Sequence, residues 1–60
     1  MCETNAYVLK NGEEELIMEN VALLRPKKGA LQLQDLFGQE KTVSGKIEEI
    51  RFLDRKILIK

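Results

Sequence analysis

The stretch "ALQLQDL" sets Leu31 and Leu33 on one side of an extended chain and Gln32 and Gln34 on the other. This two-residue period is that of a half-buried strand. "KILIK" repeats it, with Ile57 and Ile59 on one face and Leu58 opposite, where it either packs inside or joins two subunits. "AYVLK" is apolar on both faces. Asn11-Gly12 is a hairpin signal because both residue types tolerate positive φ. Further turn signals stand at Pro26-Lys27-Lys28-Gly29, Phe37-Gly38, Ser44-Gly45 and Asp54-Arg55. The segments between them run about five to ten residues, a strand length.

Periodicity by itself leaves helix and strand open in two places. Over 13–24, Leu16, Ile17, Val21 and Leu24 recur at helical spacing, and Asn11 with Glu14 imitates a capping box. Over 46–57, Ile47, Ile50 and Ile57 fall near one helical face. The density of turns decides for strands. The first segment then splits at Glu19-Asn20 into one hairpin, and the second at Asp54-Arg55 into another. The expectation is an all-β fold: a small curled antiparallel sheet or barrel of six to seven short strands, with residues 1–60 as a single small β-barrel domain. A chain of 60 residues buries only about 60% of its unfolded surface. It gains from a metal or a partner subunit.

Composition removes several functions. Ten Lys and Arg balance ten Asp and Glu, and a nucleic-acid binder ordinarily carries a basic surplus. Tyr7, Phe37 and Phe52 are the only aromatics, too few for a base-stacking platform, and they are expected in the core. No nucleic acid is expected as a partner. Histidine is absent and Ser44 is the single serine, so no histidine-based triad or imidazole metal site can be built. No enzyme is expected. Met18 reads as a core filler, Glu13–Glu15 as a solvated run, and Lys27 with Lys28 as an exposed hairpin tip. No apolar run approaches the ~20 residues that span a bilayer, and the first ten residues lack a signal-peptide layout. With one free thiol, a reducing cytoplasmic setting and no membrane partner are expected.

A Met1-Cys2 start, a strand ending in a Gly-containing turn and the stretch "ENVALLRPKKGALQLQDLFGQEKTVSGKIEEI" together carry a resemblance, most diagnostic at Cys2, at "LFG" (Leu36–Gly38) with Glu40 after it, and in the final strand pair. The chain resembles, over nearly its full length, the CooT family of small nickel-binding accessory proteins of carbon monoxide dehydrogenase maturation. Relatives of this kind often carry the label of predicted RNA-binding proteins. The resemblance implies a small β-barrel, a homodimer, and Ni(II) bound by Cys2, the one residue that maps onto the family's metal motif.

The chemistry of Cys2 can be read independently. If Met1 is removed, Cys2 carries a free α-amine and a thiolate that close a five-membered chelate. Two chains then offer two nitrogens and two sulfurs, a set that suits square-planar Ni(II) or Cu(II) better than tetrahedral zinc. If Met1 stays, its amine, the Cys2 amide and thiolate, and the Glu3 amide can ring one ion in a monomer. Glu3 also offers a carboxylate, as a ligand or as a group that steadies one. The metal-site expectation is therefore Cys2, with Met1 and Glu3 as candidate additions. The functional expectation is a Ni(II)-binding accessory protein, metallochaperone-like, that assists a client metalloenzyme such as carbon monoxide dehydrogenase. It is expected as a homodimer, with the monomer kept open. The alternatives are a small RNA-binding β-barrel module and a metal-free protein-interaction subunit.

Overall fold

The computed structural model describes residues 3–60 and shows seven strands and no helix among them. In chain order these are β1 (Asn5–Lys10), β2 (Glu13–Met18), β3 (Val21–Lys27), β4 (Ala30–Asp35), β5 (Glu40–Ser44), β6 (Ile47–Arg51) and β7 (Lys56–Ile59). They form a four-stranded sheet in the order β2-β1-β7-β6 and a three-stranded sheet in the order β3-β4-β5. Both stretches with helical periodicity are strands. Their spacing arises where β-bulges interrupt alternation: the β1–β2 register shifts between Ala6 and Tyr7, and the β6–β7 register between Ile47 and Glu49. One extra residue in a strand moves the apolar pattern to the other parity and mimics a longer period.

The turns sit where the sequence places them, with one exception. Asn11 and Gly12 take φ of 52° and 80° and join β1 to β2, the geometry of a two-residue hairpin whose twist matches its strands. Lys28-Gly29 joins β3 to β4, and the 52–55 turn joins β6 to β7 with the Arg55 N–H donating to the Phe52 carbonyl at 3.3 Å. Pro26 is tolerated because β3 is an edge strand. Gly45, between β5 and β6, has φ of 131°, and a Cβ there would stand 2.6 Å from the Lys60 carbonyl oxygen. The exception is Glu19-Asn20, which is not a hairpin. β2 and β3 belong to different sheets, and the chain crosses between them with Asn20 at φ 56°. The Asn20 N–H donates to Asn5 Oδ1 at 3.3 Å, and the Val21 N–H to the Thr4 carbonyl at 2.7 Å.

The expected all-β fold of short strands in small curled sheets is found, with seven strands, in the open-sheet form and not the barrel. The strands are not all antiparallel: β1 and β7 pair in parallel, Ala6 against Ile57 and Val8 against Ile59. A parallel pair needs a long crossover, and here strands β2 to β6 provide it. Nor does a closed barrel form. The two curled sheets face each other and stay separate.

The core lies between them. Ala6, Leu31, Leu33, Ile57 and Ile59 are buried together, with Val8, Ile17, Met18, Val21, Leu24, Val43 and Ile47 packed around them. The alternating residues of β4 and β7 thus face each other across the gap. Met18 fills space at its rim as its sequence position suggests. Leu58 lies on the opposite face of β7 yet is only 3% exposed, so it is covered within the chain. Phe37 and Phe52 are not core residues: they are 80% and 84% exposed. Both sit in tight turns, where the backbone reverses before a side chain can reach the sheet interface.

Candidate metal site

Three backbone hydrogen bonds gather one end of the molecule around the start of β1. The Thr4 carbonyl accepts from Val21. The Asn5 N–H donates to the Arg55 carbonyl at 3.0 Å, and the Asn20 carbonyl accepts from the Leu36 N–H at 2.9 Å. The β2–β3 crossover, the Leu36–Gly38 tip and the 52–55 turn are therefore tied together around Thr4 and Asn5. The large apolar side chains of both turns are exposed there: Leu36 and Phe37 on one, Phe52 and Leu53 on the other, Leu53 at 99%.

The Leu36–Gly38 tip is held by a single carboxylate. Asp35 Oδ1 accepts from the Phe37 and Gln39 N–H groups, each at 2.9 Å, and the Gly38 N–H donates to the Asp35 carbonyl at 3.2 Å. An aspartate that binds backbone two residues ahead is a local turn device. Asp35→Ala is expected to cost about 1 kcal/mol, because water replaces these exposed bonds imperfectly. Amide exchange should quicken at Phe37 and Gln39 while core amides keep their protection. Unchanged exchange at both positions would show that the carboxylate does not organise the tip.

The predicted ligands divide between what is described and what is not. Met1 and Cys2 lie outside the described residues. Glu3 is exposed and directly precedes the tethered Thr4. Among the described residues, no three Cys, Asp or Glu side chains gather into a metal-holding group. Glu13–Glu15 are exposed, as a solvated run should be, and Glu14 and Glu15 are taken up in cross-strand ion pairs. Lys10 Nζ lies 3.3 Å from Glu15 Oε2, and Lys56 Nζ lies 2.7 Å from Glu14 Oε1. The Lys56 ammonium also stands 5.1 Å from the centre of the Tyr7 ring. Its hydrogen bond to Glu14 holds Lys56 above the usual lysine range, and a side-chain hydrogen bond to Glu49 likewise raises Arg51. Both cations stay charged in the folded protein.

A family model described as "CO dehydrogenase accessory protein CooT" matches residues 1–60. The chain belongs to the CooT family. It is an accessory protein of CO dehydrogenase and not an enzyme. The chain is also similar to a CooT candidate from Carboxydothermus hydrogenoformans, known from a crystal structure. The two share 36% identity over 97% of this chain and 94% of that one, with a TM-score of 0.87. No protein of curated function matches significantly. No helix among the described residues is long and apolar enough to cross a membrane.

Sequence reasoning assigned no role in a site to Thr4 or Arg55, nor to the exposed set at Leu23, Ile50, Phe52 and Leu53. Thr4 and Arg55 act here through backbone atoms, which no side-chain pattern reports. For the others a signal existed: "RFLDR" puts two large apolar residues inside a turn signal, where a core position is hard to reach.

Proposed function

We propose that this protein binds Ni(II) through Cys2 in the cytoplasm and assists its delivery to CO dehydrogenase. The observation that supports this most directly is the position of the only thiol in the sequence, three residues before the first residue of β1, in a chain matched from end to end by the CooT model. Nickel here is cargo. The chain must hold it with few enough ligands to release it, and a site made of one terminal thiolate with nearby nitrogens meets that need. A protonated thiol is no ligand, so loading releases protons and weakens in acid.

The functional unit is a homodimer with one Ni(II) per pair, bound by two copies of Cys2. Each chain has a single thiol, so two thiolates require two chains, and a two-fold axis brings identical termini together. The form in competition is a monomer in which Met1 is retained and amine and amide nitrogens complete the ring, with Glu3 beside it. Titration with Ni(II) followed by thiolate charge-transfer absorption separates them. Saturation at half an equivalent per chain, with a dimer mass in light scattering, is the expected outcome. Saturation at one equivalent with a monomer mass would replace the dimer by the monomer. A pale octahedral spectrum would remove the thiolate from the site altogether.

A further inference from the structure

Backbone bonds gather four lysines at the end of the molecule opposite Thr4. In the parallel pair of β1 and β7, Asn5 faces Lys56 at the Thr4 end and Val8 faces Ile59 toward the other, where Lys60 follows. Lys46 is bonded to Lys60 in both directions. Its N–H donates to the Lys60 carbonyl at 3.2 Å, and the Lys60 N–H donates to the Lys46 carbonyl at 2.9 Å. Gly45, next to Lys46, donates its N–H to the Gly29 carbonyl at 3.5 Å, which brings in Lys27 and Lys28 at the β3–β4 tip. All four lysines are exposed. None has an ion-pair partner among the described residues, whereas Lys10, Arg51 and Lys56 are each paired with a carboxylate.

The Lys46–Lys60 arrangement is that of a hydrogen-bonded antiparallel pair, whose side chains stand side by side on one face. Like charges placed so are destabilising, and a carboxylate brought from outside relieves them. The form of the ligand follows from the surroundings. The lysines lie on turns and strand ends, so an anion meets a surface and not a walled pocket. Lysine ammonium groups are mobile point charges that attract carboxylates without the fixed geometry of an arginine fork. A continuous polyanion such as a nucleic-acid strand fits poorly. Beyond Lys60 the same end carries Lys10, already taken up by Glu15, and Glu13 opposite it, and these acids repel further negative charge. The exposed Phe37 and Phe52 belong to the turns at the Thr4 end, so no base finds an aromatic to stack on beside the lysines. A short set of carboxylates meets all of these conditions.

We propose that this end of the protein docks a short acidic stretch of a partner protein, whose carboxylates lie among Lys27, Lys28, Lys46 and Lys60. Contact of this kind at an exposed surface speeds encounter more than it tightens the complex, and salt screens it. It is independent of the nickel reading, and it leaves the Leu36–Gly38 and 52–55 turns at the opposite end uncovered.

The test titrates the full chain with a blocked oligoglutamate peptide, followed through backbone amide shifts, and in parallel with a single-stranded RNA oligonucleotide of equal charge. The peptide is expected to move the amides of 27–29, 44–46 and 60, and to bind more tightly in about 20 mM than in about 150 mM salt. Lys46→Glu should weaken peptide binding by about fivefold or more. It should also raise the melting temperature, because an opposite-charge pair replaces a like-charge one. A Lys27→Gln, Lys28→Gln double variant changes only exposed side chains and should weaken binding as well. Arg55→Asp makes the same change in net charge at the Thr4 end, with a residue that tolerates the φ of 54° found there, and should leave the peptide affinity within about twofold. Equal weakening by Lys46→Glu and Arg55→Asp would make net charge the cause and overturn the proposal. RNA bound more tightly than the peptide would assign the lysines to nucleic acid and overturn it too. So would the absence of peptide binding in the lower salt, or a melting temperature lowered by Lys46→Glu.

Discussion

Replacement of Cys2 by serine is expected to abolish tight Ni(II) binding and to leave the fold intact. A serine hydroxyl remains protonated near neutrality and is a hard, weak donor, whereas a cysteine thiol ionises near pH 8.5 and lower beside a metal. The chain offers no substitute, since it has no histidine and no second cysteine. Loss of a group that merely orients a ligand costs about 10–100-fold in metal affinity, so loss of the ligand itself should exceed that. Stability should not follow, because every residue of the buried cluster lies between Ala6 and Ile59. Calorimetric titration and thermal unfolding of the metal-free variant check the two halves of this expectation. A variant that binds Ni(II) as tightly as the parent would move the site to the carboxylates. A collapse of the metal-free melting temperature would instead give Cys2 a structural role.

Leu33→Ala should have the largest effect on stability. Leu33 is fully buried in the middle of β4, paired with Leu24 and Lys41 on its two neighbours, and it packs in the gap with Ala6, Leu31, Ile57 and Ile59. Truncation of a buried leucine costs about 2–5 kcal/mol through lost transfer energy and the cavity left behind. At roughly 0.05–0.15 kcal/mol per residue, a chain of this length has only about 3–9 kcal/mol in total. The variant should melt more than about 10 °C below the parent or be unfolded at 25 °C. Leu53→Ala, at a nearly fully exposed position, should stay within about 0.5 kcal/mol. Measured at one protein concentration, equal melting temperatures for the two variants would contradict the described core.

Much of this behaviour is written in local residue types. The alternation in "ALQLQDL" and "KILIK" placed Leu31, Leu33, Ile57 and Ile59 in the core, where they are found. Asn11-Gly12 made its hairpin because both residues take positive φ. The isolated thiol, the missing histidine and the balanced charge ranked a terminal metal site above an RNA-binding module and a metal-free interaction subunit. These features are legible because each depends on a few neighbouring residues and on preferences that hold in any fold.

What the tertiary structure decided concerns partners distant in sequence. Glu19-Asn20 resembles a hairpin turn, but its conformation is set by Asn5 and Thr4, which redirect the chain to the second sheet. The parallel pairing of β1 with β7 joins strands about fifty residues apart along the chain, and loop closure over that distance leaves no trace in local propensity. Phe37 and Phe52 are hydrophobic enough for a core, yet their exposure follows from the turns that hold them. The open seam between β3 and β6 is likewise a property of two edges that fail to meet. Sequence periodicity can say which side of a strand is apolar; only the packing of the two sheets determines which apolar sides remain uncovered, because burial is shared between surfaces and no single strand specifies it.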